Sequence, residues 1–184
     1  SITGEPDGQP MKLGVAITDI VTGMNATQAI LAALYARERT GQGQVIDIAL
    51  FDSAVAVLAN VASGYLATGE LPKRYGNAHA TVVPYQLFRT RDGSIALAVG
   101  NDRQFAKLCR QVLERPELAE DARFVLNRDR VAHRDVLVPL IQEIFAQRTT
   151  AEWIRRMDEA GVPAGQVRNV AEVFASREVE ERDL

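Results

Sequence analysis

Residues 16–50 read AITDIVTGMNATQAILAALYARERTGQGQVIDIAL, and this stretch decides how the chain is organised. Its first half, Ile20–Ala36, holds no charged residue. Ile20, Met24, Ile30, Leu31 and Leu34 recur there at helical spacing among alanines, which predicts a helix. Thr40-Gly41-Gln42-Gly43 supplies a helix stop and a turn, and Gln44–Leu50, rich in Val and Ile, is expected as a strand. A second charge-free stretch, Ser53–Gly69, repeats the helical pattern through Val55, Leu58, Ala59, Ala62 and Leu66. A helix without a charged face is normally covered on most sides, and one strand cannot bury two such helices. This helix–strand–helix part is expected to lack layers that would normally cover it.

Outward from this stretch the charge changes. Residues 1–72 carry 3 basic and 7 acidic side chains, whereas residues 73–184 carry 18 and 17. The two parts must therefore meet water differently, and we divide the chain into 1–72 and 73–184. In the second part, Val82–Arg91 and Ser94–Val99 predict a hairpin around Arg91-Asp92-Gly93. Asn101 is placed to cap a helix in which Phe105, Leu108, Cys109, Val112 and Leu113 make one apolar face. Asn127–Gln147 reads as helical, with Pro139 expected to kink or break it. Thr149-Thr150-Ala151-Glu152 is a capping box that opens a helix through Trp153, Ile154 and Met157, and Gly161 ends it. A short helix is expected near Val170–Ala175. The fold class is thus α/β followed by α+β, a hairpin or small sheet with helices.

The whole chain has 184 residues, 47% of them hydrophobic and 24% charged, which excludes a disordered or collagen-like chain. A pI near 5.5 argues against nucleic-acid binding by bulk electrostatics. No charged start precedes an apolar run, so no signal peptide is expected, and no apolar stretch is long and clean enough to span a bilayer. Cys109 is the single cysteine, so no intrachain disulfide can form. That fits a reducing compartment, and a cytoplasmic location is expected.

Asp19 is the carboxylate of interest. It stands just before the charge-free helix, where it is expected as the N-cap. As a cap it would accept hydrogen bonds from the first helical N–H groups, worth roughly 0.5–2 kcal/mol. The same geometry serves catalysis. A poorly solvated carboxylate can attack a carbonyl carbon, the helix dipole keeps it ionised, and nearby N–H groups can meet a developing oxyanion. Local sequence leaves both readings open. Asp52 and Asp47 are better explained by capping and local pairing. Gly41-Gln42-Gly43 follows a helix and precedes a strand, the reverse of the dinucleotide-binding order, and reads as a turn. His79 lies in a loop before the hairpin, and His133 opens or interrupts a polar helix at the surface. Two histidines and one cysteine have no metal-ligand spacing, so no metal is expected. Cys109 and Trp153 fall on packed helix faces. The basic residues beyond Pro72 are nearly matched by acids and read as a solvated surface.

An ordered set of segments then resembles one family. It begins with Gly4-Glu5-Pro6-Asp7-Gly8, Pro10-Met11-Lys12-Leu13-Gly14-Val15-Ala16, Thr18-Asp19 and Thr22-Gly23. It continues through Ile30-Leu31-Ala32-Ala33-Leu34, Arg39–Asp47, Leu50-Phe51-Asp52-Ser53 and Tyr65–Gly69. Gly76-Asn77-Ala78-His79, Val83-Pro84-Tyr85-Gln86, Ala98–Asp102 and Ala160–Gly165 complete it. In this order they resemble the class III CoA-transferase family, which includes formyl-CoA transferase, carnitine CoA-transferase and α-methylacyl-CoA racemase.

The resemblance implies that Asp19 is the catalytic nucleophile of a transferase that moves CoA from an acyl-CoA to a small carboxylic acid. It implies coenzyme A as part of the substrate, with an aspartyl-CoA thioester as the intermediate. Gly76–His79 matches the segment over the family's active site, so Gly76, Asn77 and His79 are candidate substrate-binding residues. Oxalate-using members are glycine-rich in this region, whereas Ala80-Thr81-Val82-Val83 stands here, which argues against oxalate or formyl-CoA chemistry. Family members are much longer, and a Rossmann-like first half carries most CoA contacts. Residues 1–72 would then be a remnant of the large domain and 73–184 the small domain. The chain would be a fragment, weakly active or inactive alone, whose parent forms an interlocked homodimer. A racemase of the same fold is an alternative, with Asp19 as an acid/base partner, although Thr18–Gly23 looks more like the transferase pattern. A non-catalytic α+β dimerisation module is the alternative of another class.

Overall fold

The computed structural model describes residues 2–184, which form two units divided between Gly76 and Asn77. The class is mixed: helices with one three-stranded antiparallel sheet.

The first unit is built on α1 (Ile17–Thr40), 24 residues long. Its alanine-rich composition carries high helix propensity. It ends where Gly41 takes a left-handed conformation, φ 72°, and its N–H reaches Arg37 O at 2.8 Å. No residue of α1 is buried; Ile20, Met24, Leu31 and Tyr35 stand more than half exposed. α2 (Leu50–Val57) packs on α1. There Asn25 Nδ2 donates to Ser53 Oγ at 3.0 Å, and Ser53 is buried.

The sequence expectations need three corrections in this unit. Gln44–Leu50 forms no strand: residues 42–49 are irregular and Leu50 already opens α2. A strand exists through its ladder partner, and Val and Ile without a neighbouring strand do not make one. Ser53–Gly69 is not one helix. The chain breaks between α2 and α3 (Ala59–Thr68), where Ala59 has φ 46°, and the two axes differ by 77°. Asp19 is not the N-cap: α1 starts two residues earlier, with Ala16 at the cap position. Among the described residues no single helix is long and apolar enough to cross a membrane; α2 and α3 meet that test only as a bent pair.

The second unit has its own core. β1 (Tyr85–Arg89) and β2 (Ser94–Ala98) form the expected hairpin, with Phe88 opposite Ile95. A third strand, β3 (Ala164–Gln166), was not foreseen; it pairs with β2 and sets Leu97 opposite Ala164. Only three residues long and containing Gly165, it carries too little alternation to be read from sequence. Phe88, Ile95 and Leu97 alternate onto the buried face. The other edge is blunted by Gln142, whose side chain bonds both the N–H and the C=O of Arg89, at 2.9 and 2.8 Å.

Helices cover this face. Asn101 caps α4 (Asp102–Lys107), its side chain accepting from Gln104 N at 2.9 Å. The run continues as a π-helical turn, Leu108–Val112, and the predicted apolar face is buried throughout. After α5 (Pro116–Glu120), the 127–147 stretch divides into α6 (Asn127–Ala132) and α7 (Arg134–Phe145). The break falls at His133, and α7 passes through Pro139 without ending. The capping box forms as read: Thr149 accepts from Glu152 N, and Glu152 accepts from Thr149 N, at the start of α8 (Thr150–Ala160). Trp153 is buried, edge-on to Phe145 at 5.0 Å, with Nε1 donating to Phe145 O at 2.9 Å. Each such large side chain removed from water contributes roughly 1.5–3 kcal/mol. Two short helices, α9 (Val170–Phe174) and α10 (Arg177–Arg182), close the chain.

Candidate active site

Asp19 occupies the third position of α1, within its first turn. The side chain is exposed. Among the described residues its carboxylate has no hydrogen-bond or ion-pair partner, so it is not used as a cap. A carboxylate on the first turn of a long helix lies beside the positive end of the macrodipole. Helix first turns also present N–H groups that have no intrahelical acceptor. Thr22 turns its hydroxyl back to Thr18 O at 2.6 Å, away from service to the carboxylate. A side chain at Gly23 would meet nothing within 4 Å, so the helix surface one turn on is open. The carboxylate is therefore exposed to solvent and has no capping role in the fold.

Gly76 belongs to the same unit. Its φ is 58°, and a Cβ there would lie 2.9 Å from Glu5 Oε2. Its N–H donates to Gly4 O at 3.1 Å, and Arg74 Nη2 donates to Gly8 O at 2.8 Å. Gly76 is thus required by a turn that ties the 4–8 segment to residues 74–76.

Asn77 and His79 fall in the second unit. Asn77 is exposed, and among the described residues its side chain has no hydrogen-bond partner. His79 is half-buried and well held. Its N–H donates to Tyr85 O at 2.8 Å, its ring stacks on Tyr85 at 5.3 Å, and its Nδ1 accepts from Thr81 N at 3.2 Å.

The loop after His79 is gripped by side chains that sequence reading missed. Arg134 Nη2 donates to His79 O and Ala80 O at 3.2 and 2.8 Å. Asn127 donates to Thr81 O at 2.8 Å and accepts from Val83 N at 3.1 Å. Arg130 Nε donates to Val83 O at 2.6 Å, and its Nη1 reaches Phe124 O and Val125 O at 2.8 and 3.0 Å. Arg130 is fully buried, which corrects the expectation that all basic residues beyond Pro72 form a solvated surface. Burial is tolerated because carbonyls and one carboxylate satisfy the guanidinium. Asn127, Arg130 and Arg134 fall at i, i+3 and i+7, but Arg128, Asp129 and His133 between them are polar too, so the spacing does not single them out.

The remaining candidates carry no chemistry. Burial pushes the Cys109 thiol up to about 12, so it stays protonated and inert. His133 is half-buried rather than at the surface, its Nδ1 2.8 Å from Asp129 O. Asp47 and Asp52 are exposed; Asp47 lies in the irregular segment and Asp52 in the first turn of α2. Among the described residues no group of three His, Cys, Asp or Glu is placed to hold a metal.

Residues 1–184 match the family model described as CoA-transferase family III. The chain belongs to that family. It is similar to a succinate–glutarate CoA-transferase of Agrobacterium fabrum, 45% identical over all of this chain and 46% of that protein. It is also similar to an acetyl-CoA:oxalate CoA-transferase of Acetobacter aceti, 40% identical over 92% of this chain and 44% of that protein. Among solved structures it resembles a CAIB/BAIF family protein from Brucella suis, 48% identical with a TM-score of 0.79, covering 98% of this chain and 48% of that one. This family III chain thus spans less than half the length of the curated relatives it matches.

Proposed function

We propose that this family III chain supplies the nucleophile of an enzyme that transfers CoA from an acyl-CoA to a carboxylic acid, with Asp19 as that nucleophile. The observation that supports it most is the unpartnered carboxylate of Asp19 on the first turn of α1. In this scheme an Asp19 oxygen attacks the thioester carbon, the C–S bond breaks, and a mixed anhydride and CoA thiolate form. The thiolate then attacks the Asp19 carbonyl, releasing the donor acid as its carboxylate and leaving an aspartyl-CoA thioester. The incoming carboxylate attacks that thioester, the thiolate leaves, and its return to the new acyl carbon frees Asp19. Each step exchanges one activated acyl bond for another, and the cycle begins and ends with a free Asp19 carboxylate.

Names of similar proteins support short acids as substrates. The Agrobacterium relative suggests succinate and glutarate as the acids exchanged. The Acetobacter relative brings oxalate into consideration, against which stand Ala80-Thr81-Val82-Val83 in place of glycines. Asn77 and His79 act on the acyl group or the acid. The whole protein is longer than this chain and works as a homodimer in the cytoplasm, and the chain alone is weakly active or inactive. The exposed apolar surface of α1 supports covering by further chain.

Hydroxylamine trapping tests the reading. The parent protein incubated with succinyl-CoA should yield a hydroxamate at Asp19, located by peptide mass. A protein that turns over acyl-CoA but gives no Asp19 adduct would reject the covalent scheme. With a 2-methylacyl-CoA deuterated at its α-carbon, retention of the deuterium would reject racemisation, whereas its loss to solvent would support it.

A further inference from the structure

We infer that Asn127, Arg130 and Arg134 form a positioning clamp that holds residues 79–83 and presents the His79 imidazole as a fixed Nε2–H donor to a carboxylate oxygen of the incoming acid. The last clause rests on the transferase reading above.

The segment from His79 to Val83 is irregular, so most of its backbone polar groups find their partners outside a ladder or helix. The carbonyls of His79, Ala80, Thr81 and Val83 and the Val83 N–H find them on one face of α6 and the start of α7. Each side chain grips a different point: Arg134 the carbonyls of His79 and Ala80, Asn127 the carbonyl of Thr81 and the N–H of Val83, and Arg130 the carbonyl of Val83. Arg130 is itself held from behind by Phe124 O, Val125 O and Asp102, so the face is rigid.

Gripping the Thr81 and Val83 backbone aims the Thr81 N–H at His79 Nδ1, 3.2 Å away. A nitrogen that accepts a hydrogen bond carries no proton, so the neutral ring bears its proton on Nε2. The Tyr85 ring, stacked at 5.3 Å and 23°, fixes the plane. Among the described residues Nε2 has no partner. The clamp therefore determines which edge of the ring donates, and the matching ligand group is an acceptor-only oxygen such as a carboxylate. Orientation set in advance lowers the ordering cost when the acid binds.

The test uses the parent enzyme with ring-15N histidine, the His79 signals being assigned by their loss in His79→Ala. The wild type should show a single Nε2–H tautomer for His79, and Arg134→Met and Asn127→Ala should each give mixed tautomers. In steady state, Arg134→Met should raise KM for the acceptor acid about tenfold with kcat little changed, and Arg134→Lys should recover part of it. His79→Ala should raise the same KM, and the double variant His79→Ala/Arg134→Met should be no worse than His79→Ala alone. Unchanged tautomers in both clamp variants, additive KM effects, or an unaffected KM in His79→Ala would each overturn the inference. Failure of the transferase reading shows separately, as a parent with no CoA transfer and no trapped Asp19. The tautomer measurement decides the clamp in that case too, and a transfer-inactive parent overturns the assignment to an acid substrate.

Discussion

Arg130 Nη2 donates to Asp102 Oδ1 at 2.8 Å, joining a side chain with no exposed surface to one that is 47% exposed. The guanidinium also lies over the Phe105 ring at 4.4 Å. The carbonyls of Val83, Phe124 and Val125 depend on it as well, and loss of a partner costs a buried acceptor about 1–3 kcal/mol. Arg130→Met should therefore destabilise the second unit by about 3–5 kcal/mol, read as a shift in the urea midpoint. Asp102→Asn keeps an acceptor and sits at the water boundary, so its cost should be about 1 kcal/mol. Equal losses in the two variants would contradict this division.

The opposite balance holds at Asp19. Among the described residues its carboxylate has no hydrogen-bond or ion-pair partner, so Asp19→Asn should leave stability within about 0.5 kcal/mol. On the scheme proposed above, this variant should lower CoA transfer in the parent by roughly a thousandfold or more and abolish hydroxamate formation. Thermal unfolding and acyl-CoA assays on one preparation separate the two effects. A stable variant that still forms the adduct would exclude Asp19 as the nucleophile.

Much of the fold was legible because it is written locally. The apolar face from Phe105 to Leu113, the Thr149–Glu152 capping box and the hairpin turn all rest on residues a few positions apart. Elements that need a distant partner were not legible. Gln44–Leu50 has strand composition but no neighbour to pair with, and β3 exists only because β2 offers an edge. Ala59 breaks a charge-free run that looks continuous in composition. The candidate site divided in the same way. Asp19 stood out as a lone carboxylate beside an apolar helix, but its placement as the N-cap in apolar surroundings was not legible: α1 starts before it and leaves it exposed. Arg130 could not be told from a surface arginine, since its burial depends on carbonyls of other elements.

Two glycines in the first unit should respond differently to alanine. At Gly76 the obstacle is the tip of the Glu5 side chain, 2.9 Å from the would-be Cβ, and a flexible carboxylate can move aside. The remaining cost is the left-handed backbone, about 1–2 kcal/mol. At Gly4, φ is 128° and the obstacle is Gln9 O, backbone, at 2.7 Å. Gly4→Ala should cost more than Gly76→Ala, and hydrogen exchange at the Gly76 amide, which bonds Gly4 O, should quicken more in the Gly4 variant. Adding Glu5→Ala should relieve part of the Gly76→Ala defect and none of the Gly4→Ala defect.

The hairpin turn carries a pH dependence with a definite sign. Asp92 Oδ1 accepts from Thr150 N at 2.7 Å, Thr150 Oγ1 at 2.9 Å and Thr90 Oγ1 at 3.3 Å, tying the turn to the start of α8. The Thr150 backbone N–H above all, then the Thr150 and Thr90 hydroxyls, hold the Asp92 carboxyl below the usual carboxylate range. A folded-state pKa below the unfolded value, about 3.9 for Asp, means the folded state binds the proton less readily. The contribution is therefore complete above that value and is lost as the pH falls through the lower folded one. Glu152 shifts the same way, chiefly through the Thr149 N–H, so the two ends of this contact weaken together in acid. Asp92→Asn cannot ionise. Its unfolding midpoint should be lower than wild type at pH 7, and the gap should narrow as both are taken below pH about 4. A gap that stays constant across that range would mean that hydrogen bonding to the charged carboxylate does not stabilise the turn.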